Sequence, residues 1–82
     1  MEFDRHGFED LTWWVDTNPK LAMRVLRLIE SIHRDPFRGI GKPEPLKHAL
    51  KGCWSRRIDN EHRIVYEVFN DKIRILACRY HY

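Results

Sequence analysis

The sequence predicts an α+β fold in which a short N-terminal strand and a two-helix hairpin pack on an antiparallel β-sheet. Three observations carry this reading. Apolar residues recur at helical spacing on both sides of Asn18-Pro19. The stretch 36–52 is broken by Gly39, Gly41, Pro43, Pro45 and Gly52. Beyond it lie three segments rich in β-branched and aromatic residues, separated by turn-forming Asp and Asn.

Glu2-Phe3-Asp4-Arg5 is read as a short opening strand, although it is poor in β-branched residues. Phe8, Leu11, Thr12 and Val15 then predict a helix over about 7–16. Asn18 suits an N-cap and Pro19 the first helical position, so a second helix starts there. Leu21, Val25, Leu28, Ile29 and Ile32 form its apolar stripe, and Pro36 ends it near Asp35. Trp13 and Trp14 come late in the first helix, where at least one should pack against the second. Leu46-Lys47-His48-Ala49-Leu50 has room for one helical turn. Strands follow over 53–58, 62–69 and 72 to about 80, joined by tight turns at Asp59-Asn60-Glu61 and Asn70-Asp71. Alternation puts Ile64, Tyr66 and Val68 on one face, with Arg63, Val65, Glu67 and Phe69 opposite. In the last strand it groups Ile73, Ile75 and Ala77 with Arg79 and His81.

Eighty-two residues make a single domain, 1–82, and 43% hydrophobic content is enough to fold it. The formal charge of +3 is unevenly spread. Residues 1–35 hold five Lys/Arg and seven Asp/Glu, and residues 36–82 hold ten and five, giving −2 and +5. A basic half suits a polyanionic partner, although a solvated sheet surface gives the same count. Cys53 and Cys78 fit no paired metal spacing and make too thin a disulfide framework for a small secreted domain. Neither a signal-peptide core nor an apolar run long enough to span a membrane is visible, so a cytoplasmic location is expected.

Three features can carry chemistry. Glu44 stands between Pro43 and Pro45, whose fixed φ angles stiffen the loop, and a rigid carboxylate suits a general base. Tyr80-His81-Tyr82 follows a strand directly, which tethers an imidazole suited to act as a general acid near neutral pH. Arg56, Arg57 and Arg63 gather around the first hairpin, with Lys42, Lys47 and Lys51 in the preceding loop, where they can bind phosphate. Trp54 and Tyr66 lie among them and can stack on bases. Taken singly, each residue fits an ordinary surface role at least as well. Together, Glu44, Arg63 and His81 are the right types for metal-free RNA cleavage: a base for the ribose 2′-proton, a cation for the phosphorane, an acid for the leaving oxygen. A metal site built from His48, His62, His81 and the cysteines competes with this reading, but its spacing matches no known ligand pattern.

The run from Asp35 through Gly41-Lys42-Pro43-Glu44-Pro45-Leu46 resembles the signature loop of the YoeB/Txe toxins, within the RelE superfamily. So do Trp54-Ser55-Arg56-Arg57-Ile58, Glu61-His62-Arg63-Ile64-Val65-Tyr66 and the ending Ala77-Cys78-Arg79-Tyr80-His81-Tyr82. The resemblance implies a microbial-ribonuclease-like fold and cleavage of mRNA in the ribosomal A site by 2′-hydroxyl attack. The products would be a 2′,3′-cyclic phosphate and a 5′-hydroxyl. It assigns Glu44 as general base, Arg63 as transition-state cation, His81 as general acid and Tyr82 as a substrate-placing group. Lys47 and Arg57 would hold phosphate or rRNA, and no metal or other cofactor is implied. A YefM/Phd-type antitoxin and a homodimer are the implied protein partners. The opening strand looks shortened relative to the family, and Cys53 replaces a more usual aromatic residue. Two other functions compete: a ParE-like gyrase-directed toxin, a branch that generally lacks the Glu/Arg/His set, and a non-catalytic RNA- or ribosome-binding module.

Overall fold

Local chemistry sets the helices first. The computed structural model describes residues 1–47 and 52–81, and α1 spans Arg5–Thr17 while α2 spans Pro19–Arg34. Asn18 separates them: its side-chain oxygen accepts from the Leu21 N–H at 3.2 Å, and Pro19 occupies the first turn of α2. Asp35 leaves helical geometry ahead of Pro36, as the sequence predicts. Ala22, Val25, Leu28 and Ile32 form the buried stripe of α2. The first helix starts two residues earlier than expected, because the chain passes from strand into helix at Asp4, whose N–H still bonds Ile75 O. Of the two tryptophans Trp14 turns into the core, while Trp13 stays exposed under the Arg79 guanidinium.

The sheet has five strands in the order β1-β5-β4-β3-β2. Here β1 is Glu2–Phe3, β2 Glu44–Pro45, β3 Cys53–Arg57, β4 His62–Val68 and β5 Ile73–His81. It is mixed rather than purely antiparallel, since β1 runs parallel to β5, pairing Glu2 with Arg74 and Phe3 with Ile75. The two helices supply part of the long connection that a parallel pair requires. β2 is also unforeseen: its two residues read as loop, yet Glu44 pairs with Ser55 and Pro45 with Trp54. Proline is tolerated there because β2 is an edge strand. Leu46 extends that ladder by donating to Cys53 O, so it does not begin a helical turn. The rest of that expected turn, His48 to Leu50, lies outside the described residues, as do Lys51 and Tyr82.

One face of the sheet meets the helices through Ile64, Tyr66, Ile75 and Cys78, with Val68 and Ile73 partly buried beside them. A smaller apolar group, Cys53, Val65 and Ala77, is covered on the other face by Leu46 and Leu76. The faces expected of β4 are thus correct at its centre, but in β5 Ala77 is not on the expected face. The pairings run Arg63 with Tyr80, Val65 with Ala77 and Tyr66 with Ile75, so β5 carries extra residues at two register shifts. Ala77 therefore parts company with Ile75, and Cys78 returns to the helix side. The backbone of Cys78 finds partners in α1: Asp10 accepts from its N–H at 2.9 Å, and Trp14 donates to its carbonyl at 2.6 Å. Close approach of α1 to β5 depends on Gly7, where an added Cβ would lie 2.6 Å from Ile75 O. Among the described residues no helix is long and apolar enough to cross a membrane.

Candidate active site

The loop that delivers Glu44 is built around Arg56. This arginine is 0% exposed, and its five N–H groups meet five acceptors. Nε donates to Tyr66 Oη at 3.2 Å; Nη1 donates to Ser31 Oγ at 2.6 Å and Ile40 O at 3.2 Å; Nη2 donates to Asp35 O at 2.6 Å and Arg38 O at 3.1 Å. Tyr66 in turn donates to Pro36 O at 2.6 Å. A side chain committed in this way offers nothing to RNA, so the expected phosphate role of Arg56 is corrected to an anchor for residues 35–40. Tyr66 is equally closed to bases. Gly39 and Gly41 have positive φ, 135° and 83°, and a Cβ at Gly39 would strike Ser31 and Arg56. Prolines stiffen the loop locally; the buried guanidinium fixes where it lies.

Strand parity then sorts the neighbours of Arg56. Trp54 shares its face, half-buried on the helix-side core and 5.1 Å from the Phe37 ring. It lines a cleft of about 670 Å³ with His33, Pro36, Phe37 and Ile73. Trp54 therefore lies on the opposite face of the sheet from the Glu44–Arg63 pair. Ser55 and Arg57 point the other way, towards the face where Glu44 meets Arg63.

Arg63 is 6% exposed and forms a close ion pair with Glu44, which keeps 49% of its side chain open to solvent. The same Nη1 donates to Ser55 Oγ at 2.9 Å. Cross-strand register explains the meeting: Glu44 lies opposite Ser55 on β2 and β3, while Arg57 lies opposite Arg63 on β3 and β4. The hydrogen bond from Arg63 and then its charge hold the Glu44 carboxyl below the usual range, against a small opposing effect of burial. The charges of Arg57 and Lys42 add to the lowering. Ser55 is a site residue that sequence reasoning missed. Its place two residues from Arg57 on an alternating strand was the available signal.

His81 is on the same strand pair but one register step away. It pairs with His62 while Tyr80 takes the position opposite Arg63. Its ring is 5.5 Å from that of His62, and Nε2 is 3.8 Å from Glu61 Oε2. His81 thus faces Glu61 and His62 in this resting arrangement, not the carboxylate of Glu44. Lys42 and Lys47 are exposed. Cys53 and Cys78 are both buried and belong to opposite sides of the sheet. Burial, with Asp10 adding to it, pushes the Cys78 thiol up to about 12. These thiols are unsuited to the metal set considered above.

Residues 3–82 match the family described as YoeB-like toxin of bacterial type II toxin-antitoxin system. The chain belongs to that family. A toxin YoeB from Streptomyces coelicolor is 52% identical over 82 residues, covering 100% of this chain and 98% of the relative. The YoeB dimer from Staphylococcus aureus superposes with a TM-score of 0.89 at 43% identity, covering 99% of this chain and 94% of that one. The heterotetrameric YoeB-YefM toxin-antitoxin complex from the same species gives 0.88, also at 43% identity and with the same coverage. The helix-on-sheet architecture, with β1 added in parallel, is therefore the fold of this toxin family.

Proposed function

We propose that this chain, as one domain over 1–82, is a ribosome-dependent endoribonuclease that cuts mRNA in the A site and so stops translation. The observation that carries the reading is the Glu44–Arg63 pair, held at an open face by adjacent strands with Arg57 and Lys42 near enough to shift its charge balance. Membership of the YoeB-like toxins supports a ribonuclease reading, and the steps are proposed as follows. Glu44 takes the ribose 2′-proton, O2′ attacks the adjacent phosphorus, and the bond to the 5′-oxygen breaks as His81 protonates it. The products are a 2′,3′-cyclic phosphate and a 5′-hydroxyl. Arg63 neutralises charge on the phosphorane, while Arg57, Lys42 and Lys47 hold phosphates of mRNA or rRNA. Tyr82 helps to place the substrate. The reaction uses no metal or other cofactor in this reading.

Glu44 at rest is a weak base because Arg63 stabilises its ionised form. An incoming phosphate competes for Arg63, and each share of that charge it takes raises the basicity of Glu44 as the base is needed. Free protein is accordingly expected to cut ribosome-free RNA poorly. His81 must turn from Glu61 towards the leaving oxygen, a motion open to a side chain that is 72% exposed. A YefM-type antitoxin is the proposed protein partner, a homodimer the proposed assembly and the cytoplasm the location; the Staphylococcus relatives, seen both as a dimer and with YefM, support the first two.

The test is a reconstituted translation reaction in which mRNA 5′ ends are mapped for wild type, Glu44→Ala and His81→Ala. Codon-positioned cuts in wild type and strong loss in both variants are expected. Equal cutting by all three would remove these residues from the site, and no cutting by wild type would remove the function.

A further inference from the structure

We infer that Glu61, His62 and His81 form a zinc site that switches the ribonuclease off by capturing the imidazole of His81. One ligand atom from each of the three lies within 4.8 Å of the other two. Zinc binds imidazole nitrogen at about 2.0–2.1 Å and carboxylate oxygen at about 2.0–2.2 Å, which sets tetrahedral donors roughly 3.3 Å apart. Closing the remaining distance needs only small side-chain rotations. Glu61 and His81 are free to make them, with side chains 70% and 72% exposed, while His62 is partly buried and held against Asp59.

The fixed member is oriented as a metal ligand requires. His62 Nδ1 lies 3.0 and 3.1 Å from the two oxygens of Asp59. With Nδ1 turned onto that carboxylate, Nε2 is the nitrogen left to face a metal ion. A carboxylate behind an imidazole is the usual support for a histidine ligand, since it fixes the tautomer and raises ligand basicity. The Trp14 ring, packed edge-on 5.0 Å from His62, further restricts rotation. Two imidazoles and a carboxylate favour a borderline ion such as zinc over Mg²⁺ or Ca²⁺, which prefer oxygen donors. The buried cysteines do not compete for it.

Binding follows from this geometry alone; the inhibition also rests on the role proposed for His81. Isothermal titration of the intact chain with zinc chloride reads binding directly. Wild type should take up one zinc per chain, and Glu61→Gln or His81→Gln should weaken it by at least about tenfold. Both side chains are exposed, so neither substitution threatens the fold. Affinity unchanged in both variants would overturn the site and assign uptake to other histidines such as exposed His6 or His33. In the translation reaction, zinc should abolish cutting by wild type, a chelator should restore it, and Glu61→Gln should cut normally and resist zinc. Equal sensitivity of wild type and Glu61→Gln, or stimulation by zinc, would overturn the inhibition. Wild type inactive without zinc would remove the ribonuclease reading, while calorimetry would still decide the metal site.

Discussion

Arg56→Lys separates a structural arginine from a phosphate-binding one. It keeps the charge and much of the volume while removing the planar fork. Five acceptors now face five N–H groups; an ammonium has three donors from a single point. At least two of Tyr66 Oη, Ser31 Oγ, Ile40 O, Asp35 O and Arg38 O must lose their partner. A buried acceptor left without a donor costs about 1–3 kcal/mol, which gives roughly 2–6 kcal/mol for two. Water can reach the part-buried carbonyls, so the lower half of that range, about 2–4 kcal/mol, is the expected loss. Domains of this size are stable by only about 4–12 kcal/mol, so the change is a large fraction of the whole. Urea denaturation monitored by tryptophan fluorescence reads it as a lower midpoint at similar slope. Arg27→Lys, at an exposed position of α2, serves as the reference and should move the midpoint little. The reasoning fails if Arg56→Lys unfolds at the wild-type urea concentration yet loses affinity for RNA, because Arg56 would then be meeting phosphate.

Two further outcomes follow from the geometry. Gly7→Ala pushes a methyl group to 2.6 Å from Ile75 O, so α1 must shift off β5; a loss of about 1–3 kcal/mol is expected, and a neutral result in the same urea assay would contradict the close approach. Arg63→Gln removes the main cause of the lowered Glu44 pKa, so Glu44 should titrate at higher pH in side-chain carboxyl NMR. The sign is fixed by linkage. A lowered folded-state pKa means that the pair stabilises the fold above the unfolded value and that this contribution fades as pH falls through the folded value. The stability gap between wild type and Arg63→Gln should therefore narrow in acid; a gap that widened would refute the pairing.

The parts of the fold that were legible in sequence are those fixed by local chemistry. Asn18-Pro19 and Pro36 bound α2 because capping and the missing proline N–H act within a few residues. β2 was illegible because two residues, one of them proline, have no periodicity; they form a strand only because β3 supplies a partner. In β5, Ala77 was misread for a related reason, while Arg79 and His81 keep the side of Ile75 once both shifts are passed. Alternation assumes an unbroken register, and the shifts around Leu76 and Cys78 are sustained by Asp10 and Trp14, far away in the chain. Arg56 and Arg57 are identical in type and adjacent in sequence. Their opposite fates come from strand parity, which grouped Arg56 with the core-facing Ile64 opposite it and Arg57 with Arg63. That signal was present but charge count concealed it. The Glu44–Arg63 meeting required the register of three strands at once, which the sequence alone does not state.

That meeting also bears on why such a protein would need a ribosome. The Glu44–Arg63 contact is itself a charge-assisted hydrogen bond at a buried arginine, worth about 1.5–3 kcal/mol. A hydrogen bond between arginine and a phosphate oxygen contributes about 1.5–3 kcal/mol. Exchange of Glu44 for phosphate at Arg63 is thus close to neutral on contact energies, so the resting pair is not by itself a strong block. On the proposed function the free protein would hold substrate weakly at this face, since Trp54 and Tyr66 lie on the other side of the sheet. The proposed role of the ribosome is then positional. It would hold the ribose 2′-hydroxyl near Glu44 and the leaving oxygen within reach of His81, as an intramolecular reaction does. On that account, tighter RNA binding engineered into the free protein should not by itself produce fast cleavage, whereas a substrate locked in the attacking geometry should be cut without ribosomes.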